Sequence, residues 1–157
     1  MIPEIGHFLL WLALGVALVL GTLPMAGAAR SNAAWMALAR PASLALFVLV
    51  AASTACLAAS FIRFDFSVLY VASHSHSALP LAYRVAGVWG GHEGSLLLWV
   101  LMLSGWTLAV ARFSRHLPLD FLARTLSVMG LLAVGFLLFT LTTSNPFERL
   151  FPVPADG

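Results

Sequence analysis

Four stretches of apolar residues without a single charge dominate the chain: residues 5–29, 42–62, 95–111 and 125–147. A membrane-crossing helix needs about 20 mostly apolar residues. A helix also satisfies its own backbone polar groups where no water is present. The pattern therefore predicts four spans, near residues 5–25, 42–62, 94–112 and 125–143. The third window is short, and Gly94 with the turn before it extends it. The expected fold is an all-α integral membrane protein with about four transmembrane helices and one ordered loop outside the membrane.

Composition supports this reading. The 157 residues are 61% hydrophobic and 9% charged. A water-facing domain carries roughly 25% charged residues. The one cysteine, Cys56, allows neither an internal disulfide nor a Cys-x-x-Cys-His haem-attachment run. All eight basic residues are arginines, and the net charge of +2 is too small and too dispersed for nucleic-acid binding. The first span has no basic residue ahead of it and carries Glu4 instead. That pattern favours an uncleaved span over a signal peptide.

Arginine placement predicts orientation. Arg30, Arg40, Arg112, Arg115 and Arg124 fall in the loops after spans one and three. Arg63, Arg84 and Arg149 lie on the other side, among Glu4, Asp65, Glu93, Glu148 and Asp156. Both ends of the chain are expected outside the cytoplasm, in the periplasm of a Gram-negative cell. The predicted organisation is spans one and two over residues 1–62, a periplasmic loop over 63–93, spans three and four over 94–143, and a periplasmic tail over 144–157.

The loop opens with FDFSVLYVA, whose aromatic and branched residues predict extended or interfacial backbone. A polar turn, Ser73 to Ser77, follows it. A short helix is expected over residues 80–88, with Pro80 at its first turn. Arg63 and Asp65 are spaced for a local ion pair, and the proline-rich tail reads as a segment leading elsewhere.

Candidate chemistry concentrates in residues 88–99, VWGGHEGSLLLW. Trp89, Gly90, Gly91, His92 and Trp99 gather there at the outer end of span three. Imidazole is a common haem and metal ligand. Glycines let a planar ligand approach the backbone, and aromatic rings stack on it. The same residues also suit an interfacial helix cap, with Glu93 at the positive helix end and tryptophans in the aromatic belt. Both readings stay open on the residues alone. His74 and His76 are too few for a closed metal site. His7 reads as packing or interfacial, and His116 as part of the arginine-rich side. No histidine falls at mid-span, so no haem-ligating pair is expected in this chain. No catalytic residue or metal site is predicted.

Several stretches carry a family resemblance: MIPEIGHFLLWLALG, DFSVLYVASHSHSALPLAYRVAGVWGGHEGSLLLWVLMLSGWTLAV, FSRHLP, MGLLAVGFLLF and TSNPFERLFP. In this order they resemble the N-terminal portion of the CcmF/NrfE family of cytochrome c-type biogenesis proteins. The resemblance implies a longer multi-span parent, in the bacterial inner membrane, with haem lyase activity. It implies haem b in that full-length parent, and none is expected for this segment alone. It implies work with a periplasmic haem chaperone, apocytochrome c, and thioredoxin-like and repeat-bearing maturation subunits. The family's haem-handling histidines and its tryptophan-rich segment lie beyond Gly157. Trp89, Gly90, Gly91, His92 and Trp99 are accordingly expected near the haem in a supporting role. The rival expectation is a non-enzymatic four-helix membrane subunit of a larger respiratory or transport complex.

Overall fold

The computed structural model describes residues 1–157 and is entirely helical apart from its connections. The helices are α1 (Ile2–Ala29), α2 (Ala33–Ala37), α3 (Ala39–Ile62), α4 (Leu69–His74), α5 (Leu81–Gly87), α6 (His92–Phe113) and α7 (Leu119–Thr142). The α1, α3, α6 and α7 helices are long and apolar enough to cross a membrane, α3 together with the short α2 before it. They run antiparallel and close into a ring: α1 on α3, α3 on α6, α6 on α7, and α7 back on α1. Both termini, α4 and α5 lie at one end, called here the loop end. The α1–α3 and α6–α7 connections form the opposite, arginine-rich end.

α1 is longer than its expected span at both ends. Pro3 sits in the first turn, where its missing N–H costs nothing. Pro24 lies inside the helix and leaves the Leu20 carbonyl without its usual donor. The Ser127 hydroxyl of α7 donates to that carbonyl at 3.0 Å. A kink-prone position is thereby satisfied by a neighbouring helix, as apolar surroundings demand. The same seam uses small residues. A Cβ on Gly130 would come within 2.9 Å of the Gly21 backbone nitrogen. Ala13, Ala17 and Gly21 recur every fourth residue on the buried face of α1. Lipid supplies no hydrophobic drive between helices, so close backbone approach does the packing.

The loop end differs from expectation in three ways. FDFSVLYVA is not a strand: only Val68 makes a bridge, to Arg149, and Leu69–His74 is the helix α4. Phe66, Val68, Tyr70 and Val71 all bury, so packing against the bundle overrides β-propensity. Asp65 meets Arg149 at 3.7 Å, not Arg63, and Arg149 also pairs with Glu4. The tail folds back over the loop. Leu69 N–H donates to the Glu148 carbonyl and Leu150 N–H to the Ser67 carbonyl, each at 2.8 Å. Farther on, Asp156 accepts from the Ser77 backbone N–H and hydroxyl at 2.8 and 2.7 Å. The short helix expected after Pro80 is α5.

Candidate functional site: the turn before α6

Residues 88–91 turn the chain from α5 into α6, and Tyr70 of α4 organises that turn. Its phenol donates to the Val88 carbonyl at 2.9 Å and accepts from the Gly91 N–H at 2.9 Å. Burial pushes the phenol pKa up, and the nearby Glu93 charge adds to this. The hydroxyl thus keeps the proton that the Val88 carbonyl needs. Tyr70 is itself held edge-on by Phe61 at the end of α3, with ring centroids 5.4 Å apart.

The glycines divide by role. A Cβ on Gly91 would lie 2.5 Å from His74 Nε2 and 2.7 Å from Tyr70 Cε2. A Cβ on Gly94 would overlap the Val88 carbonyl oxygen and sit 2.5 Å from the Tyr70 hydroxyl. The space beside both is taken by the protein's own rings and backbone, so these two glycines serve packing. A Cβ on Gly90 would meet nothing nearer than the Gly87 carbonyl at 3.4 Å, and Gly90 is exposed. It is the one glycine of the three that leaves room for an outside group.

His92 is the first residue of α6 and is exposed. Its Nδ1 lies 3.0 Å from the Ser144 hydroxyl, and its ring stands edge-on to Phe139. That bond orients the imidazole through one nitrogen. The neighbouring residue Asn145 places its amide nitrogen 3.2 Å from His7 Nδ1, while Trp11 Nε1 donates to His7 Nε2 at 3.0 Å. Two consecutive residues after α7 therefore tie together histidines from α1 and α6, a link that no local spacing reveals. Glu93 stands in the first turn of α6, where the helix dipole favours an anion.

Trp89 is 42% exposed and Trp99 58% exposed. They are not at one level. Trp99 is seven residues beyond His92, about 10 Å farther along the helix, and packs edge-on against Phe136 of α7. No group of three or more His, Cys, Asp or Glu side chains converges to hold a metal. Trp89, Gly90 and His92 are all exposed at this turn.

Comparison with known proteins bears directly on this turn. Residues 89–156 match the family described as "Cytochrome C assembly protein", so the matched region begins at Trp89. Over its whole length the chain is 57% identical to the cytochrome c-type biogenesis protein CcmF of Pseudomonas aeruginosa and 55% identical to that of Escherichia coli. It is 45% identical to the cytochrome c-type biogenesis protein NrfE of Haemophilus influenzae. The fold agrees with a solved "Cytochrome c Heme Lyase CcmF" at a TM-score of 0.89 over 96% of this chain, with 28% identity. The chain belongs to the CcmF/NrfE family, as an N-terminal portion. It spans 24% of the Pseudomonas and Escherichia relatives and 25% of the solved chain. Tyr70 and His74, which the sequence reading did not single out for this turn, lie ahead of the matched region. The legible signal for Tyr70 was only its place in the longer resembling stretch.

Proposed function

We propose that this chain forms part of a cytochrome c haem lyase, contributing scaffold and the entry surface at its loop end. In this reading the full-length parent carries haem b and takes haem from a periplasmic haem chaperone. It attaches that haem to the Cys-x-x-Cys-His motifs of apocytochrome c, together with thioredoxin-like and repeat-bearing subunits. The whole-chain similarity in both sequence and fold carries the proposal. Haem supplies the vinyl groups that become thioethers; this chain's part is to bind and orient. Trp89, Gly90 and His92 offer a rim surface, Tyr70 keeps that rim in shape, and Trp99 lines the seam below it. Removing the parent gene is expected to leave apocytochrome c present and abolish its covalent haem, read by haem stain of denatured protein. Undiminished holo-cytochrome c would contradict the proposal.

The same reading puts the loop end in the periplasm and the chain in the bacterial inner membrane. Five arginines gather at the opposite end, and at the loop end Arg149 is paired with Glu4 and Asp65. Alkaline phosphatase fused at Ser77 should be active, and green fluorescent protein fused at Pro118 should fluoresce. Phosphatase activity at Pro118 with none at Ser77 would reverse the orientation.

A further inference from the structure

At the arginine-rich end, the start of α3 and the close of α6 leave a cavity of about 230 Å³. Its walls are Arg40, Pro41, Leu44, Leu108, Arg112 and Arg115, with Ala111 beneath them. No carboxylate lines it. None of the three arginines takes part in an ion pair, since every ion pair of the chain lies at the loop end. The Arg40 Nε is buried without a hydrogen-bond partner. A buried donor on a cation left unsatisfied is costly. The carboxyl end of α6 offers a partial negative charge of about half a unit, which does not balance three guanidinium groups. The cavity is therefore built for an anion with several acceptor oxygens, and guanidinium groups match phosphate geometry.

A second, apolar groove of about 600 Å³ runs between α1 and α3, past Leu12, Val16, Val19, Leu38 and Ala45. Pro41 lines both cavities, so the basic site and the apolar groove adjoin at the start of α3. Gly15 within the groove has open space around its Cβ position. The stretch of α1 along it, from Trp11 to Val19, is about 12 Å long at 1.5 Å per residue, room for the upper part of an acyl chain. A free phosphate would use only the basic half. An anionic phospholipid uses both, and basic pockets between spans at this depth suit such headgroups.

We propose that the α3–α6 arginine cavity binds the phosphate headgroup of an anionic phospholipid, with an acyl chain lying along the α1–α3 groove. Native mass spectrometry of the full chain released from detergent tests this, using phosphatidylglycerol, phosphatidylethanolamine and inorganic phosphate as probes. Phosphatidylglycerol should remain bound in preference to phosphatidylethanolamine. Arg112→Gln and Arg115→Gln should each weaken it about fivefold, the expected share of one arginine beside an anionic lipid. Arg63→Gln, at the other end of the bundle, should leave it unchanged. Millimolar inorganic phosphate should not displace it. Equal retention of both lipids, an undiminished preference in the Arg112→Gln, Arg115→Gln double variant, or displacement by phosphate alone would each overturn the proposal.

Discussion

Gly94→Ala should unfold the chain at a markedly lower temperature than any other single methyl addition at the loop end. The added Cβ would overlap the Val88 carbonyl oxygen and crowd the Tyr70 hydroxyl. Both neighbours are fixed: Val88 O is backbone, and Tyr70 is wedged against Phe61 and bonded to the turn on two sides. No flexible side-chain end can give way. Overpacking of a tight site costs about 1–3 kcal/mol, and the displaced Tyr70–Val88 hydrogen bond adds about 1 kcal/mol. A loss of about 2–4 kcal/mol corresponds to a fall of about 10 °C for a chain of this size. Thermal unfolding of the detergent-solubilised chain, followed by tryptophan fluorescence, reads it. Tyr70→Phe, which removes the hydroxyl and leaves the ring, should lower the same temperature by a smaller amount. A Gly94→Ala protein that unfolds with the wild type would mean that the turn is not clamped as described.

That result bears on what the primary structure could disclose. Four spans were legible because charge is excluded from lipid, so the arginines and carboxylates punctuate the chain at each membrane edge. The first span was expected to stop near residue 25, and α1 runs on through Pro24 to Ala29 because the Leu20 carbonyl is satisfied by the Ser127 hydroxyl, 107 residues away. FDFSVLYVA looked extended because its residues favour strands when half-buried. Here they bury against α3, α5 and the returning tail, and the helix wins. The ion pair of Asp65 was misassigned to the nearer Arg63, since the pairing with Arg149 depends on that same return of the tail. In the turn before α6, the residue types were legible but the division of labour was not. Gly90 and Gly91 looked like openings for a ligand, and Gly94 only like the start of the third span. Tyr70 and His74 fill the space beside Gly91 and Gly94, and only Gly90 remains open. Trp99 looked level with Trp89 because helical rise is not visible until the first residue of α6 is known.

The second large effect is expected in the full-length parent, at the exposed rim that remains once those packing roles are set aside. Trp89 presents an aromatic surface beside the open Gly90, and aromatic contact is worth about 0.5–1.5 kcal/mol beyond burial. Its loss should reduce haem handling about two- to tenfold. His92 is oriented by Ser144 through Nδ1, an arrangement that would serve equally for a wall residue or an axial ligand. Geometry alone leaves those two roles alike, and substitution separates them. A wall residue weakens delivery, whereas an axial ligand carries the resident haem with it. The decisive measurement is therefore made on the purified full-length parent and its client together. Holo-cytochrome c yield and the reduced-minus-oxidised haem b spectrum are compared for Trp89→Ala and His92→Ala at equal protein levels. The wall reading predicts a larger fall in holo-cytochrome c for Trp89→Ala than for His92→Ala, with haem b retained in both. Loss of haem b from the His92→Ala parent would contradict it and make His92 a ligand.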